Sequence, residues 1–425
     1  MDAKVSAAKQ IRGSVRTAGD KSVSHRYGML AALAAGTSRF ENFSSSADCA
    51  STLACMQAMG ATVRRQGNHV EVDGVAGELS APQRELDCGN SGSTMRMLSG
   101  IVAAQPFTSR MVGDASLSKR PMRRVIEPLE KMGARIESQE GHAPLVIHGA
   151  KLKAIDYQPP VASAQVKSCV LLAGLFAQGE TGVIEPVRTR DHTELALKAF
   201  GGETHRAGDR VSVRGGQKLR AIEGYVPGDL SSVTFFLCAA ALFPGSSLVV
   251  DSVLLNPTRS VVLDVLSGMG VKINFLKVEE QFGELIGTLQ AEGELFQGGE
   301  IRGAQSAALI DELPAIAAIA PYSARGVEIR DAAELRVKES DRIAAVVQNL
   351  RAMGAQVEEF PDGMRIPGGQ HLHGARLESF DDHRIAMAFA VAALRAEGET
   401  TIAGAESVAV SFPEFFTALR GVTED

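Results

Sequence analysis

Residues 129–136 read LEKMGARI, an apolar helical stripe that ends at Gly133 and leads into an alternating segment. A glycine just past the last turn of a helix commonly ends it in a left-handed conformation. Alternation of apolar and polar residues is typical of a β-strand. The phrase therefore predicts a helix, a sharp stop and a strand, in that order. It decides the fold because the chain repeats it.

The phrase occurs six times, at intervals of roughly 70 residues. The other copies are LACMQAMGATV (53–63), LKAFGGET (197–204), LSGMGVKI (266–273), LRAMGAQV (350–357) and LRGV (419–422). One or two matches would mean little, because glycine after a helix is common. Six copies at near-constant spacing indicate an internal repeat.

A second kind of helix recurs out of phase with the first and is apolar on nearly every side. Helices of this kind are buried inside a domain. The examples are VSHRYGMLAALAAG (23–36), TMRMLSGIVAA (94–104), VKSCVLLAGLFAQG (166–179), VTFFLCAAALFPG (233–245), LPAIAAIAPYSARG (313–326) and RIAMAFAVAALRAEG (384–398). Together the two helix types predict six units rich in βα segments, three in each of two similar domains.

The bulk properties agree with two globular domains, since 425 residues exceed what one hydrophobic core supports. Hydrophobic residues make up 45% and charged residues 22%, and the net charge of -6 argues against nucleic acid as a partner. The N-terminus has no apolar signal region, and no apolar run approaches the ~20 residues of a membrane span. We expect a soluble, cytoplasmic protein with no membrane or nucleic-acid partner.

The five cysteines are irregularly spaced and include no C-x-x-C pair, which indicates reduced, buried thiols. They are Cys49, Cys55, Cys88, Cys169 and Cys238. Metal binding is not expected, because His371 and His373 lie in a Gly-flanked loop without nearby Cys or acidic partners.

The residues that lead into the buried helices are good N-caps, and a helix N-terminus presents free N–H groups and a positive dipole end. The leading segments are 19–22, 89–93, 163–165, 228–232, 311–312 and 381–384. Several first turns also carry a cation, namely Lys21, Arg26, Arg96, Lys167 and Arg384. If the repeats bring these ends to one face of each domain, the two faces form an anion-attracting cleft.

Four basic or glycine-rich segments are candidate binding sites, and each has a plainer alternative. GDKSVSHR (19–26) could be an ordinary capped helix, and GNSGSTMR (89–96) an ordinary turn, although its glycines suit close approach by an oxyanion. DASLSKRPMRRV (114–125) and RTRDH (188–192) could be solvated basic surfaces. GNSGSTMR lacks the P-loop pattern, so it is not a nucleotide P-loop.

ELRVKESDR (334–342) is the most informative stretch, since Arg336, Lys338, Glu339, Asp341 and Arg342 fall within seven residues of it. It could be a salt-bridged surface helix start. The sharper hypothesis joins a phosphate-binding lysine and a carboxylate-binding arginine with an acid that transfers protons. Asp311, at the head of an apolar helix, could supply a second carboxylate for a separate acid or base role.

Taken in order, these phrases closely resemble the 5-enolpyruvylshikimate-3-phosphate synthase family, from about Gly13 to Phe416. The most specific matches are GDKSVSHR, GNSGSTMR, DASLSKRPM, ASAQVKS, TRDHTE, GDLSS, LNPTR, ELRVKESDR and DDHRIAM. The resemblance implies an enolpyruvate transferase-like α/β fold, a two-domain inside-out α/β barrel with three βαβαββ repeats in each domain. The implied lobes are 19–227, and 1–18 with 228–425, with hinges near 18–20 and 226–230 and closure around the substrates.

The resemblance also implies two substrates, shikimate 3-phosphate and phosphoenolpyruvate, and a set of residues for each. Those for shikimate 3-phosphate are Lys21, Ser22, Arg26, Ser163, Ala164, Gln165, Arg190, Asp311 and Lys338. Those for phosphoenolpyruvate are Lys21, Asn90, Gly92, Arg120, Gln165, Arg342 and Arg384. The implied enzyme acts in the shikimate pathway and is a target of glyphosate. We expect it to be a monomer that needs no metal or organic cofactor.

By the same resemblance, Asp311 accepts a proton and Glu339 donates one, with Lys21 and His383 in support. Phosphoenolpyruvate is protonated at its methylene carbon while the 5-hydroxyl of shikimate 3-phosphate attacks the adjacent carbon, and the intermediate then expels phosphate. The chain departs from the family pattern in carrying Val410 where many members have Lys, and Ala164 in place of a common Ser.

Three rival functions remain open at this point. The enolpyruvyl transferase that acts on UDP-N-acetylglucosamine shares the fold, but it carries a reactive Cys in the loop that matches 114–121, where this chain has none. VPGDLSS gives a weak hint of a small-molecule kinase. A non-catalytic phosphometabolite-binding protein would gain nothing from Asp311 and Glu339 beside its anionic ligand.

Overall fold

A computed structural model describes residues 1–424 of this mixed α/β chain. The chain divides into two compact units. The N-terminal unit comprises Gly19–Val226 together with Gln281–Glu284. The C-terminal unit comprises Met1–Ala18, Pro227–Glu280 and the chain from Leu285 on.

The strands are short and distributed along the whole chain. They are β1 (Ala3–Val5), β2 (Gln10–Val15), β3 (Ala35–Glu41), β4 (Thr62–Gln66), β5 (His69–Val75), β6 (Leu86–Asp87), β7 (Thr108–Val112), β8 (Arg135–Gln139), β9 (His142–His148), β10 (Asp156–Tyr157), β11 (Glu180–Ile184), β12 (Thr204–Ala207), β13 (Arg210–Arg214), β14 (Glu223–Tyr225), β15 (Ser247–Leu254), β16 (Lys272–Gln281), β17 (Glu284–Glu292), β18 (Gly299–Ile301), β19 (Val327–Ile329), β20 (Glu358–Phe360), β21 (Gly363–Ile366), β22 (Arg376–Glu378), β23 (Thr400–Ala403) and β24 (Thr423–Glu424).

Helices separate the strands at regular points. The α-helices are α1 (Lys21–Leu33), α2 (Ala47–Ala58), α3 (Gly92–Val102), α4 (Arg123–Met132), α5 (Ala164–Gly174), α6 (His192–Ala199), α7 (Leu230–Ala241), α8 (Val261–Gly268), α9 (Ala304–Ala308), α10 (Leu313–Ile319), α11 (Arg342–Ala352), α12 (His383–Ala393) and α13 (Phe415–Val422). Short 3₁₀ helices cover Leu117–Lys119, Ala320–Tyr322, Ala333–Val337 and Ala405–Val410.

The three sheets of the N-terminal unit share one strand order. They run β14-β3-β5-β4, β6-β7-β9-β8 and β10-β11-β13-β12. In each sheet the first two strands are parallel, and the remaining neighbours pair antiparallel. One repeat of sequence therefore folds into one repeat of structure.

The C-terminal unit repeats this order with changes at the chain ends. The sheet β18-β19-β21-β20 has the same pattern. In the sheet β16-β17-β15-β2-β24, the N-terminal strand β2 pairs parallel with β15, and β24 adds an extra edge. In the third sheet, β1 pairs with β23, which is parallel to β22. The first residues of the chain thus complete two sheets of this unit.

The predicted buried helices are confirmed as α1, α3 and α5 in the N-terminal unit and α7, α10 and α12 in the C-terminal unit, where most of their residues are buried. Five of the six begin at a predicted N-cap whose side chain accepts a hydrogen bond from a backbone N–H group, namely Asp20, Ser91, Ser163, Asp229 and Asp382. At α10 the N-cap residue Glu312 makes no such bond within residues 1–424. Its carboxylate instead accepts a hydrogen bond from the Ser231 hydroxyl.

The predicted glycine stops follow five of the six helices of the repeated phrase, namely α2, α4, α6, α8 and α11. Gly60, Gly133, Gly201, Gly270 and Gly354 all have positive φ, the left-handed conformation that ends a helix. The sixth prediction is wrong, because Gly421 lies inside α13. There Thr423 is extended and the chain runs directly from the helix into β24, so no left-handed residue is required.

The tip of the β16–β17 hairpin belongs to the N-terminal unit although the rest of the hairpin does not. In this tip the Gln281 side chain accepts a hydrogen bond from the Tyr225 backbone N–H at 3.1 Å. Glu284 lies 2.6 Å from Nδ1 of His192, and both side chains are buried. The glycine stops and helix caps in the sequence do not predict that the hairpin tip belongs to the N-terminal unit.

Gly100 sets the distance between α3 and α5. A Cβ atom at this position would lie 2.1 Å from the carbonyl oxygen of Cys169, a contact that a backbone atom cannot relieve by rotation. We expect Gly100→Ala to lower the free energy of unfolding by about 2–3 kcal/mol, as overpacked cores do.

The control is Gly268→Ala in α8, where an added Cβ meets nothing within 4 Å. This variant should be neutral or up to about 1 kcal/mol more stable. Urea unfolding of both variants tests the idea. Equal urea midpoints for the two variants would show that the packing of α3 against α5 does not require glycine at position 100.

His25 is a fully buried histidine on α1. Its Nδ1 lies 2.7 Å from Oγ1 of Thr52, and its buried Nε2 has no hydrogen-bond partner within residues 1–424. Burial, assisted by the charges of Lys21 and Arg26, holds the pKa of His25 well below its usual value. The imidazole is therefore neutral in the folded protein at neutral pH.

This lowered pKa makes the stability depend on pH. Below about pH 6.5 the unfolded chain binds a proton at His25 that the folded chain does not, so the folded state loses stability as the pH falls. We expect the stability advantage of wild type over His25→Asn to shrink by up to about 1.4 kcal/mol per pH unit below that point. Denaturant unfolding across the pH range measures it; an advantage that stays constant would contradict the neutral assignment.

Candidate functional site

The first candidate residues lie at the beginning of α1 in the N-terminal unit. Lys21 is the first helical residue, directly after the N-cap Asp20. Its Nζ lies 2.9 Å from Oδ2 of Asp48, and the two side chains are 19% and 8% exposed. The ion pair fixes the direction of the lysine at the helix N-terminus. Asp48 was not identified from the sequence, since it lies in α2 outside every motif.

Arg26 lies one turn further along α1 and is buried. Its Nε donates to Thr193 Oγ1 at 2.6 Å, and its Nη2 donates to Ser168 Oγ at 2.7 Å. Its Nη1 donates to the Ser22 carbonyl oxygen at 2.8 Å. These acceptors are neutral, so they orient the guanidinium group without cancelling its charge.

Burial lowers the pKa of Arg26 to about 10, while the charges of Glu194 and Asp20 oppose the shift and that of Arg190 adds to it. Arg26 therefore remains charged at neutral pH. Arg190, in the segment between β11 and α6, is close enough for its charge to act on Arg26. The structure thus brings two of the predicted cations near each other.

The predicted residues Asn90, Gly92 and Arg120 meet at the beginning of α3. Arg120 Nη2 donates to Asn90 Oδ1 at 2.7 Å and to Ser116 Oγ at 3.1 Å. A Cβ at Gly92 would lie 2.8 Å from Arg96 Nη1 and 3.5 Å from Arg120 Nη1. A larger residue at this position would therefore press on two guanidinium groups.

Gln165 links the beginnings of α3 and α5. Its Oε1 accepts from Arg96 Nη1 at 2.7 Å, and its Nε2 donates to Ser93 Oγ at 2.9 Å. Ser163 is the N-cap of α5, and Ala164 is the first residue of the helix. The beginnings of α1, α3 and α5 are thus joined by side-chain hydrogen bonds, since Arg26 contacts α5 through Ser168.

Lys167 departs from the expectation that it is an anion-attracting cation at a helix beginning. Its side chain is fully buried, and Nζ lies 3.1 Å from Glu185 and 2.9 Å from Glu194. The position in the first turn of α5 was correct, but the side chain points into the unit because two carboxylates, distant in sequence, neutralise it there.

The C-terminal unit contains a second group of predicted residues around Arg342. Its Nε donates to Asp382 Oδ2 at 2.8 Å, and its Nη2 donates to Glu339 Oε2 at 2.6 Å. The side chains of Arg342 and Asp382 are 1% and 0% exposed. Nη1 is buried and donates no hydrogen bond within residues 1–424. This N–H edge suits an anionic ligand oxygen.

The charges of Asp382 and Glu339 determine the state of Arg342. Burial alone would lower the pKa of Arg342, but these carboxylates outweigh it and raise the pKa. Burial would likewise raise the pKa of Asp382, and the Arg342 charge overcomes it and lowers the pKa. Both groups are therefore charged. The sequence suggested capping for Asp382, and the structure gives it a second role as the partner of Arg342.

Asp311 lies between two of the predicted cations. Its Oδ1 is 3.7 Å from Lys338 Nζ and 3.7 Å from Arg342 Nη1. Its carbonyl oxygen accepts from Arg384 Nη1 at 2.7 Å. Lys338 and Asp311 are both about one-fifth exposed, at 23% and 19%. His383 begins α12 beside Arg384 and is buried.

Arg336 holds the segment that carries Lys338 and Glu339. Its Nη1 donates to Asp341 Oδ2 at 2.8 Å, and its Nε donates to the Pro361 carbonyl oxygen at 2.8 Å. Asp341 in turn caps α11 by accepting from the Ala344 N–H. The alternative of a salt-bridged helix start therefore describes Arg336 and Asp341, whereas Glu339 and Arg342 belong to the cluster around Arg342.

Chemically, this cluster combines carboxylates with cations that differ in exposure and partners. Asp311 lies near Lys338 and Arg342, and Glu339 accepts a hydrogen bond from Nη2 of Arg342. Such an arrangement can bind an anion and also exchange protons.

Within residues 1–424, no group of three or more His, Cys, Asp or Glu side chains is placed to hold a metal ion. All five cysteines are buried free thiols, as predicted.

None of the helices within residues 1–424 combines the length and the apolar character that a membrane crossing requires.

Comparison with known proteins identifies the chain. A family model for EPSP synthase (3-phosphoshikimate 1-carboxyvinyltransferase) matches residues 5–419. The 3-phosphoshikimate 1-carboxyvinyltransferase of Koribacter versatilis is 64% identical over 422 residues, covering 99% of each chain, and that of Solibacter usitatus is 54% identical over 426 residues, covering 100% of each. An EPSP synthase structure from Acinetobacter baumannii superposes with a TM-score of 0.89 at 41% identity, covering 99% of this chain and 98% of that one. The chain therefore belongs to the EPSP synthase family, whose fold it shares.

Proposed function

We propose that this chain transfers the enolpyruvyl group of phosphoenolpyruvate to the 5-hydroxyl of shikimate 3-phosphate and releases phosphate. Its membership of the 3-phosphoshikimate 1-carboxyvinyltransferases supports this reaction, which belongs to the shikimate pathway of aromatic amino acid biosynthesis. The observation that carries the assignment of roles is the cluster of Asp311, Lys338, Glu339 and Arg342.

In this proposal the cations bind the anionic groups of both substrates. Charge-assisted hydrogen bonds from guanidinium and ammonium groups are the strong contacts for phosphate and carboxylate. The residues for shikimate 3-phosphate are Lys21, Ser22, Arg26, Ser163, Ala164, Gln165, Arg190, Asp311 and Lys338. The residues for phosphoenolpyruvate are Lys21, Asn90, Gly92, Arg120, Gln165, Arg342 and Arg384.

The chemistry needs one group that takes a proton and one that gives a proton. Asp311 accepts the proton of the 5-hydroxyl, and that oxygen attacks the carbon that bears the phosphate ester. Glu339 donates a proton to the methylene carbon, with Lys21 and His383 in support. The tetrahedral intermediate then loses phosphate by breaking the carbon–oxygen bond and loses a proton from its new methyl group, which leaves the enolpyruvyl ether. Fixed positive charges stabilise the developing negative charge.

The proposal also covers the cellular location, the oligomeric state and the partners of the enzyme. We expect a cytoplasmic monomer that acts on small molecules and binds no nucleic acid. The net charge of -6 supports the last point, because phosphate backbones attract basic surfaces.

Release of phosphate from phosphoenolpyruvate tests the reaction. We expect release to depend on shikimate 3-phosphate and to require no ATP. UDP-N-acetylglucosamine should not replace shikimate 3-phosphate as the acceptor. Release with UDP-N-acetylglucosamine alone would assign the chain to the other enolpyruvyl transfer reaction, and release that ignores both acceptors would end the proposal.

Glu339→Gln tests the proton donor. Because the amide keeps the size of the side chain but cannot supply the proton, we expect kcat to fall by about 10²- to 10⁴-fold. Binding of shikimate 3-phosphate, measured by calorimetry, should persist.

The matched control is Glu358→Gln, the same change at a side chain that is 59% exposed in the same unit. It should leave kcat unchanged. Wild-type turnover in Glu339→Gln would remove Glu339 from the mechanism.

A further inference from the structure

Three buried charged side chains and one partly exposed arginine form a cluster near the beginnings of α5 and α6. Lys167 Nζ contacts Glu185 and Glu194 at 3.1 and 2.9 Å, and Arg206 Nη2 contacts the same two carboxylates at 2.8 and 3.3 Å. Two positive charges thus face two negative ones. We call these four residues the Lys167 cluster.

Stability alone does not explain the Lys167 cluster. Removing charged groups from water is costly, and well-packed apolar residues of similar volume often serve a core equally well or better. The polar atoms of the cluster also contact a neighbouring segment of the chain.

The Lys167 cluster holds every polar atom of Thr189. Glu185 Oε1 accepts from the Thr189 backbone N–H at 3.2 Å and also from the Thr189 hydroxyl. Lys167 Nζ donates to the Thr189 carbonyl oxygen at 3.4 Å. The peptide groups on both sides of this residue are thereby fixed from inside the unit.

The next residue along the chain is Arg190, whose charge acts on Arg26. Arg188, on the other side of Thr189, is exposed and pairs with Asp191 at 2.6 Å. The segment therefore has an anchored residue between two arginines, one facing solvent and one near the candidate site.

The cluster also adjoins the residues that orient Arg26. Ser168 follows Lys167 in α5, and Thr193 precedes Glu194 in α6. The two hydroxyl oxygens lie 2.6 Å apart, and both accept from Arg26. In each of these two helices, a residue of the Lys167 cluster is thus adjacent in sequence to a residue that orients Arg26.

We propose that Lys167 and Glu185 are positioning residues that act through Thr189 to hold Arg190 in the conformation that binds shikimate 3-phosphate. This inference rests on the proposed function, which places Arg190 at that substrate. Without the anchor, the backbone at Arg190 would have to be ordered on each binding event. The free energy of that ordering corresponds to a weakening of about tenfold.

Thr189→Val tests the anchor, because it removes the hydroxyl and keeps the shape and the backbone bonds. We expect the KM for shikimate 3-phosphate to rise by about tenfold. The kcat, the KM for phosphoenolpyruvate and the melting temperature should stay near wild type. Thr189→Ser restores the hydroxyl and should restore the KM. Arg188→Ala, in the same segment, is the control and should change the KM by less than about twofold.

A double-mutant cycle then separates positioning from a general effect on the unit. In an Arg190→Met background, Thr189→Val should add less than about twofold to the KM, because there is no arginine left to position. Glu185→Gln, which keeps an acceptor for Thr189 but removes the charge that pairs with Lys167, should show the same dependence on Arg190.

The outcomes separate the inference from the function on which it rests. Suppose that the wild type is active but the effects of Thr189→Val and Arg190→Met on the KM are additive. The positioning role alone is then wrong, and it is equally wrong if Thr189→Ser does not restore the KM. A wild type that releases no phosphate in the presence of shikimate 3-phosphate overturns the proposed function, and the positioning role with it.

Discussion

Cations collected at the beginnings of buried helices repel one another, and each must be held in place without losing the charge that attracts an anion. The chain meets this constraint with neutral acceptors at two positions. Arg26 donates to two hydroxyls and a carbonyl oxygen, and Arg384 donates to the carbonyl oxygen of Asp311. Neutral oxygens orient a guanidinium group while leaving its net charge intact, so the helix dipole and the side chain attract an anion together.

Carboxylates hold other cations, with a different electrostatic result. Lys21 pairs with Asp48, and Arg342 lies among Asp382, Glu339 and Asp311. A carboxylate fixes direction more strongly than a neutral oxygen, but it also reduces the field that a ligand experiences. At Arg342 the neighbouring carboxylates place groups that exchange protons beside a cation.

Helix caps and helix ends, which depend on neighbouring residues, could be predicted from the sequence. Contacts between residues that are far apart in the sequence could not. Asp20 was predicted as an N-cap because capping depends on residues three apart, and the glycine stops follow from the residues beside them. Gly421 was mispredicted because the pairing of β24 with β2, far away in sequence, continues the chain directly into a strand. Lys167 was misjudged for the same reason, since the carboxylates that turn it inward come from later segments. The family resemblance assigned substrates to the candidate residues, which no local rule does.

The excursion of Gln281–Glu284 into the N-terminal unit has a consequence for dividing the molecule. Residues 19–226 contain an entire set of three sheets and could be taken for an autonomous domain. Expressed alone, that fragment would leave the His192 imidazole without its carboxylate and the Tyr225 amide without its acceptor, both in positions that the hairpin tip covers. Cutting the chain before Gly19 and after Val226 therefore does not yield an intact N-terminal unit. A separable version would need the hairpin tip supplied as a peptide or joined to Val226.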